Sequence, residues 1–535
     1  MAGPDPPLPG SWFPLLVLLL GVVLVAAYDG TLVPKRYAFS ADSASYIDMA
    51  ESLRTVGRPL VTPWDVDPGD QDAIPQILFP PGFGAVIAAF ALFTGDVRTA
   101  ALWPSRIAAA LLPFLIVVLF RGAVPDLRLL AVALLALLAP GVRAWHYVAY
   151  SDVTGLLLCV VAIGALARGM GLVGRPQGGI GWLVLAGLAA GLGYGIRNSG
   201  LAVLAVSVAM LAYGALLRGA ARCSIVYWLA GAAAPLGVLF SYNITTFGQL
   251  MPYAMPRSTR HWSQNLTDYA TSQLEDLGLP IWLVEAGPAI VALAAVAGLA
   301  AVCAQAVWRL RHESRRQGLL MLLGGYVLAG AGLLVVARSR YEWGNYIDTR
   351  NTLQLSWALG LALALAIDAT WPRRAARIVY CVLVAVLALL FVDAVREGID
   401  ARRNAPGSWL VLAHDPVVMG AARAYSPDTL LGSNAAVLFR ISAPRRVRQL
   451  EISGEDVDFA GSLRLLSRAA GSRPTAFLLV CDEWTARFSA CAGRAPGPEA
   501  PDCTPLRLES PRVEQCRVPP GPQKNGPQPL GDATR

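Results

Sequence analysis

The residues in this chain that could do chemistry are a few carboxylates and guanidiniums at the ends of apolar runs. In Ala41-Asp42-Ser43-Ala44-Ser45-Tyr46-Ile47-Asp48-Met49-Ala50-Glu51, the residues Asp42, Tyr46 and Ala50 follow i, i+4, i+8 and share one helix face. A carboxylate in a partly dry setting has a raised pKa and can take a proton from a hydroxyl. The same Asp beside serines also fits an exposed helix N-cap. Asp152, in Tyr150-Ser151-Asp152, opens a later apolar run and carries the same two readings, acidic site residue or cap. Arg197 lies in Gly193-Tyr194-Gly195-Ile196-Arg197-Asn198-Ser199, a glycine-rich corner between two short apolar runs. Arginine within or at the edge of a bilayer is costly and marks a functional candidate. It can hold a phosphate through paired N–H bonds or snorkel to lipid headgroups. Arg257, Arg260 and His261 cluster in 251–262, and Arg338, Arg340, Tyr341, Asp348 and Arg350 in 338–350. Such cation and aromatic mixtures suit anionic headgroups or sugars and equally suit interfacial anchoring.

The elements that must position these residues are membrane helices. Of 535 residues, 55% are hydrophobic and 15% charged, whereas a soluble domain carries about 25% charge. Apolar segments run at 12–28, 79–94, 106–120, 128–142, 152–167, 180–195, 199–215, 225–243, 281–303, 318–337, 351–370 and 378–395. The net charge of +8 does not indicate nucleic acid, because the basic residues sit in short loops between apolar runs. The first segment follows no basic leader, and an uncleaved first span is expected although Ala26-Ala27 resembles a signal-peptidase site.

Lys/Arg bias sets the sidedness. Arg309, Arg311, Arg315 and Arg316 crowd one connector, and Arg373, Arg374 and Arg377 another. Arg218 with Arg222, Arg168 with Arg175, and Arg121 with Arg128 mark three more. With all five cytoplasmic, 143–151, 244–280, 338–350 and everything after 396 lie outside. Alternation fails only at the start, because 29–78 holds eight acids against four basic residues, the wrong bias for an inside loop. Segment 79–94, opened by Phe79-Pro80-Pro81-Gly82, is therefore expected to be a re-entrant or juxtamembrane helix. That leaves about eleven spans, N-terminus inside and C-terminus outside; a hidden extra span elsewhere is the competing repair. The expected fold class is an α-helical polytopic membrane protein with a small C-terminal α/β extracytoplasmic domain.

The domain reading is a membrane domain over 1–395 (first outside loop 29–78), an extracytoplasmic α/β domain over 396–495, and a Pro/Gly-rich tail over 496–535, read as disordered. Helix-like stretches 416–425 and 459–469 alternate with strand-like runs at Thr429-Leu430-Leu431 and Ala476–Val480. Cys481, Cys491, Cys503 and Cys516 in this outside tail allow up to two disulfides, in any of three pairings. Zinc spacing is missing. No Walker loop, dinucleotide fingerprint, His-Glu-x-x-His or Gly-x-Ser-x-Gly occurs, and the cytoplasmic loops are too short to house a nucleotide-sugar domain. An activated substrate must then arrive with a lipid or from outside.

The order of these features resembles the GT-C superfamily of polytopic glycosyltransferases, most of all its bacterial protein-mannosyltransferase/aminoarabinose-transferase type. Asp42-Ser43-Ala44-Ser45-Tyr46 with Ala50 and Gly57 resembles that family's first-loop acidic motif, and Phe79-Pro80-Pro81-Gly82 its Tyr-Pro-Pro segment. Ser151-Asp152 resembles the Ser-Glu/Asp of the second outside loop, and Gly187 through Arg197-Asn198-Ser199-Gly200 the glycine-rich span pair ending in a basic residue. Tyr242-Asn243 with Phe247-Gly248, Asp348-Thr349-Arg350 and Ser433-Asn434 resemble three later motifs. The resemblance covers residues 30–440.

It implies transfer of a sugar from a polyprenyl-phosphate donor, with inversion, to a lipid, glycan or protein acceptor outside a bacterial inner or plasma membrane. Asp42 is then the general base and Asp152 a second acidic site residue. Arg197 and Arg350, with Arg257 and Arg260, contact the donor phosphate. Tyr46, Pro80, Pro81, His261 and Tyr341 line the substrate groove. No cofactor is assigned; a divalent metal is compatible, without an assigned ligand set. Partners are membrane lipids and the two substrates, with no nucleic acid. A transporter or flippase of lipid-linked sugars, or a non-catalytic membrane scaffold, is the alternative.

Overall fold

The computed structural model describes residues 12–29, 41–62, 73–76, 79–174, 179–217, 223–252, 257–279, 289–341, 347–404, 415–426, 428–435, 439, 447–449, 463, 466–467, 473–481, 503–507 and 512–518. Its contacts divide the chain into two units: Met1–Ala38, Met49–Pro59 and Pro75–Arg402 form the first, and Phe39–Asp48, Leu60–Ile74 and Arg403–Arg535 the second.

The first unit is helical. In chain order its elements are α1 (Phe13–Ala27), the end of α2 (Ala41–Val56), α3 (Gly82–Thr94), α4 (Val97–Ala101), α5 (Trp103–Phe120), α6 (Asp126–Leu138), α7 (Pro140–Trp145), α8 (Ser151–Gly169), α9 (Ile180–Ile196), α10 (Gly200–Leu217), α11 (Cys223–Phe247), α12 (Trp262–Asp276), α13 (Ala289–Arg309), α14 (Ser314–Arg340), α15 (Thr349–Thr370) and α16 (Arg373–Asn404). Among the described residues six helices are long and apolar enough to cross a membrane: Val97–Phe120, Ser151–Gly169, Cys223–Phe247, Ser314–Arg340, Thr349–Thr370 and Ala376–Arg396. Phe13–Ala27, Gly82–Thr94, Ile180–Ile196 and Gly200–Leu216 are shorter apolar helices. α3 has 13 residues and rises about 20 Å, less than the ~30 Å hydrocarbon layer.

α5, α8 and α15 are the buried centre, and α16 the periphery. Leu112, Ile116, Val160, Ile163, Leu361 and Ala358 are fully enclosed. Ile378, Val382, Val384, Leu389, Phe391 and Val392 of α16 are exposed, an apolar outer face suited to lipid rather than water. α9 crosses α11 through reciprocal glycines. A Cβ on Gly187 would stand 2.0 Å from the Trp228 carbonyl oxygen, and one on Gly231 2.0 Å from that of Val184. Small residues let membrane helices approach to backbone contact.

The second unit holds a five-stranded sheet of order β4-β3-β5-β7-β6, made of β3 (Leu430–Ser433), β4 (Val447–Gln449), β5 (Thr475–Cys481), β6 (Cys503–Arg507) and β7 (Arg512–Arg517); the short β1 (Leu60–Val61) and β2 (Ile74–Pro75) pair separately. β3 is parallel to β4 and β5, while β7 is antiparallel to β5 and β6. Helix α17 (Pro416–Ala424) buries Val418, Met419 and Ala422 in a core with Leu431, Leu478 and Val480. Asn434 clamps the turn after β3, accepting from the Val480 N–H at 2.8 Å and donating to the Val480 carbonyl at 2.7 Å.

Two boundaries differ from the sequence reading. α16 continues to Asn404, past 395. Residues 503–507 and 512–517, inside the tail read as disordered, are strands. Their Pro and Gly neighbours hide a hairpin that pairs with the edge of β5 and is tied by Cys503–Cys516. Cys481 is also disulfide-bonded, and Cys491 lies outside the described residues. Of the expected helix 459–469, only Leu463, Leu466 and Ser467 are described, all helical and buried.

Candidate active site

Three helix ends meet at Asp152. Tyr150 is extended and caps α8 without a side-chain bond, so Asp152 sits in the first helical turn rather than at the cap. α9 stops at Arg197, whose backbone turns extended (φ −152°, ψ 135°). Its amide still bonds to Gly193, and the next helix restarts at Gly200. The corner requires glycine there, because a Cβ on Gly200 would lie 2.5 Å from the Tyr194 nitrogen. α15 begins at Thr349 and presents Arg350 from its first turn.

The Asp152 carboxylate is wholly buried and accepts from both guanidiniums. Arg197 Nη1 lies 2.5 Å from Oδ1. Arg350 Nε stands 3.1 Å from Oδ1 and 3.2 Å from Oδ2. The two arginines are 19% and 21% exposed, against 0% for the carboxylate, so they face an opening that the carboxylate does not. The Arg350 guanidinium rests 4.1 Å from the Tyr150 ring centroid and 5.4 Å from that of Trp145. Stacking of this kind fixes the plane of the fork. Ser105 donates to the Tyr150 carbonyl at 2.5 Å and pins the wall to α5. Two arginines thus converge on one aspartate at the same helix ends, and paired guanidiniums are a donor arrangement that suits an anion such as phosphate.

A third guanidinium extends the patch. Arg338, in the last turn of α14, donates to Asn351 Oδ1 at 3.2 Å, and Asn351 donates to Asp348 Oδ1 at 2.7 Å. The charge of Arg338 is felt by those of Asp348, Arg197, Arg350 and Arg260. Sequence reasoning placed Arg338 in a mixed loop and gave it no role. Its signal was weak, because an arginine in the last turn of an apolar helix reads as an interfacial anchor.

The other expected site residues are dispersed. Arg257 pairs by a backbone bridge with Tyr341, and Ser258 N–H donates to the Arg340 carbonyl, so the two loops run together. Arg260 binds Asp268 at 2.8 Å, and burial raises the Asp268 pKa against the pull of Arg260. His261 caps α12, taking the Ser263 N–H while Gln264 returns to the His261 N–H. That is a capping box, and the His261 ring caps the helix from an exposed position. Pro81 precedes α3 and Pro80 is buried beside it. Asp42 stands in the first turn of α2, in the second unit. Tyr46 and Ala50, on its face, are 1% and 0% exposed. The Tyr46 ring is therefore packed.

Asp152 does not fit a divalent cation, since both its oxygens already accept from guanidiniums. Among the described residues, Cys503, Glu514 and Cys516 form a trio at metal-binding separation, but the two thiols are joined as a disulfide.

No family model matches the chain, and no curated protein matches it in sequence. Solved structures do. ArnT from Cupriavidus metallidurans bound to undecaprenyl phosphate superposes with a TM-score of 0.56 at 13% identity, over 96% of this chain and 100% of that one. The apo oligosaccharyltransferase of Archaeoglobus fulgidus gives 0.54 at 12%, over 88% and 70%. The arabinofuranosyltransferase AftD from Mycobacteria gives 0.50 at 14%, over 97% and 40%. All three are GT-C glycosyltransferases, and this chain has their fold.

Proposed function

We propose that this protein is a membrane glycosyltransferase that moves a sugar from a polyprenyl-phosphate donor to an extracytoplasmic acceptor, with inversion at the anomeric carbon. One observation carries the reading: a fully buried Asp152 aims two partly exposed arginines, Arg197 and Arg350, from the ends of helices in a GT-C fold. The ArnT neighbour was solved with undecaprenyl phosphate bound, an anionic lipid of the class such a pair would hold.

The acceptor hydroxyl oxygen attacks C1 of the sugar from the face opposite the phosphate. The C1–O bond to phosphate breaks, and its electrons pass to the phosphate oxygen. Arg197 and Arg350, with Arg338 behind them, stabilise the charge that develops on this leaving group. Asp42 takes the hydroxyl proton as general base. Asp152 orients the two arginines and is the counterion that makes their burial tolerable. The polyprenyl chain stays in the bilayer, so no nucleotide is needed outside. Lipid, glycan and protein acceptors all satisfy this chemistry.

The test is mass spectrometry of envelope glycolipids and glycoproteins from a strain lacking the gene, complemented with wild type or Arg350→Ala. A sugar-bearing species should vanish on deletion, return with wild type and stay missing with the variant. Identical profiles with and without the gene would remove the proposal.

A further inference from the structure

Among the described residues, the proposed reaction leaves one fully buried carboxylate unused. Asp276 ends α12 with no solvent exposure. Oδ2 accepts from the Thr352 hydroxyl at 2.7 Å and the Ser356 hydroxyl at 3.1 Å, both on α15. Oδ1 accepts from the Gly141 N–H of α7 at 3.1 Å. α7 and α15 touch at the same place. A Cβ on Gly141 would lie 2.5 Å from the carbonyl oxygen of Thr349, the residue before Arg350, and 3.1 Å from Asp276 Oδ1.

We infer that Asp276 is a positioning residue for the anion site: its carboxylate locks the first turn of α15 onto α7 and so fixes Arg350 in register with its aromatic wall. Thr352 is two residues beyond Arg350, and Trp145, which stacks on Arg350, closes α7. One carboxylate therefore sets both the backbone that carries the guanidinium and the helix that carries part of its wall. The inference rests on the proposed function for what Arg350 binds, but not for the lock itself.

The chemistry of the site argues against simple packing. Burial pushes the Asp276 carboxyl up to about 7, although Thr352, Gly141 and Ser356 all pull it down and Glu275 adds a small upward push. Glu275 and Tyr269, both on α12, are the titratable groups whose fields meet it. α7 offers a backbone N–H and α15 two hydroxyls; among the described residues no charged group of α13 or α14 joins them. A neutral, apolar residue would pack here without that desolvation cost. The acid is useful because its ionised form draws three donors from two other helices onto one side chain. Ser356 also reaches the Thr352 carbonyl at 3.1 Å and receives the Gln273 amide at 2.9 Å. It can turn away when the carboxyl takes a proton, which releases the lock.

The experiment uses the full-length protein in lipid nanodiscs, wild type against Asp276→Asn and, with the carboxylate kept, Thr352→Val. Hydrogen exchange over 348–356, corrected for intrinsic rates, should rise at least tenfold in both variants, with exchange in α8 unchanged. Binding of undecaprenyl phosphate, read by native mass spectrometry, should weaken about tenfold in both. In wild type that affinity should gain a step near pH 7 that Asp276→Asn lacks. Exchange and affinity within twofold of wild type in both variants overturn the inference. If wild type fails to bind undecaprenyl phosphate while exchange in 348–356 still rises, the donor reading falls and the lock stands.

Discussion

A carboxylate held by two guanidiniums orients cations, and this decides what substitutions at Asp152 should do. Asp152→Ala leaves two arginines without their buried partner, a change that costs about 3–5 kcal/mol when a buried pair is broken. Transfer should fall at least ~100-fold, as for loss of one transition-state charge contact, and thermal unfolding in detergent should move down with it. Near-wild-type transfer in this variant would show that the pair is only structural. Arg350→Lys keeps the charge but loses the planar fork and its stacking on Tyr150; a loss between those of wild type and Arg350→Ala is expected in a steady-state transfer assay. Asp276 predicts opposite pH trends for stability and binding. Its pKa rises from 3.8 to about 7 on folding, so the folded protein holds this proton more tightly than the unfolded chain does. The resulting stability is complete below about pH 4 and is lost as pH rises through about 7. The melting temperature should therefore fall between pH 5 and 8 more steeply in wild type than in Asp276→Asn, whereas anion binding should rise over the same range. Equal slopes in the two proteins would contradict this account of the carboxyl.

At the scale of elements, apolar runs made the helices readable. Helices stand at the segments expected from hydrophobicity, because the bilayer demands long uncharged stretches that water-soluble proteins lack. Arg197 was readable for the same reason: a cation between two apolar runs beside several glycines is conspicuous. Arg338 and Asp276 were not, since each has meaning only through partners far along the chain (Asn351 for one, Gly141 and Thr352 for the other). Strands β6 and β7 were hidden likewise, because β-pairing is a long-range property that local Pro and Gly content obscures. The α9–α11 crossing gives a test at this scale. Gly187→Ala places a methyl against the Trp228 backbone, and overpacking typically costs about 1–3 kcal/mol. A clear drop in thermal stability is expected, and an unchanged melting curve would refute the close crossing.

At the scale of the whole molecule, the chain joins a helical unit whose outer face is apolar to a smaller sheet unit stabilised by cross-strand cysteines. Replacing Cys503 and Cys516 together by Ser should weaken the second unit by up to ~3 kcal/mol, the value for a loop of this order, and leave the Asp152 cluster intact. The proposed reaction assigns the proton transfer to Asp42. It is tested most directly by sugar transfer in membranes containing Asp42→Asn, measured by mass spectrometry alongside undecaprenyl-phosphate binding. The account predicts that binding persists while transfer is abolished. Transfer at the wild-type rate in Asp42→Asn would contradict it.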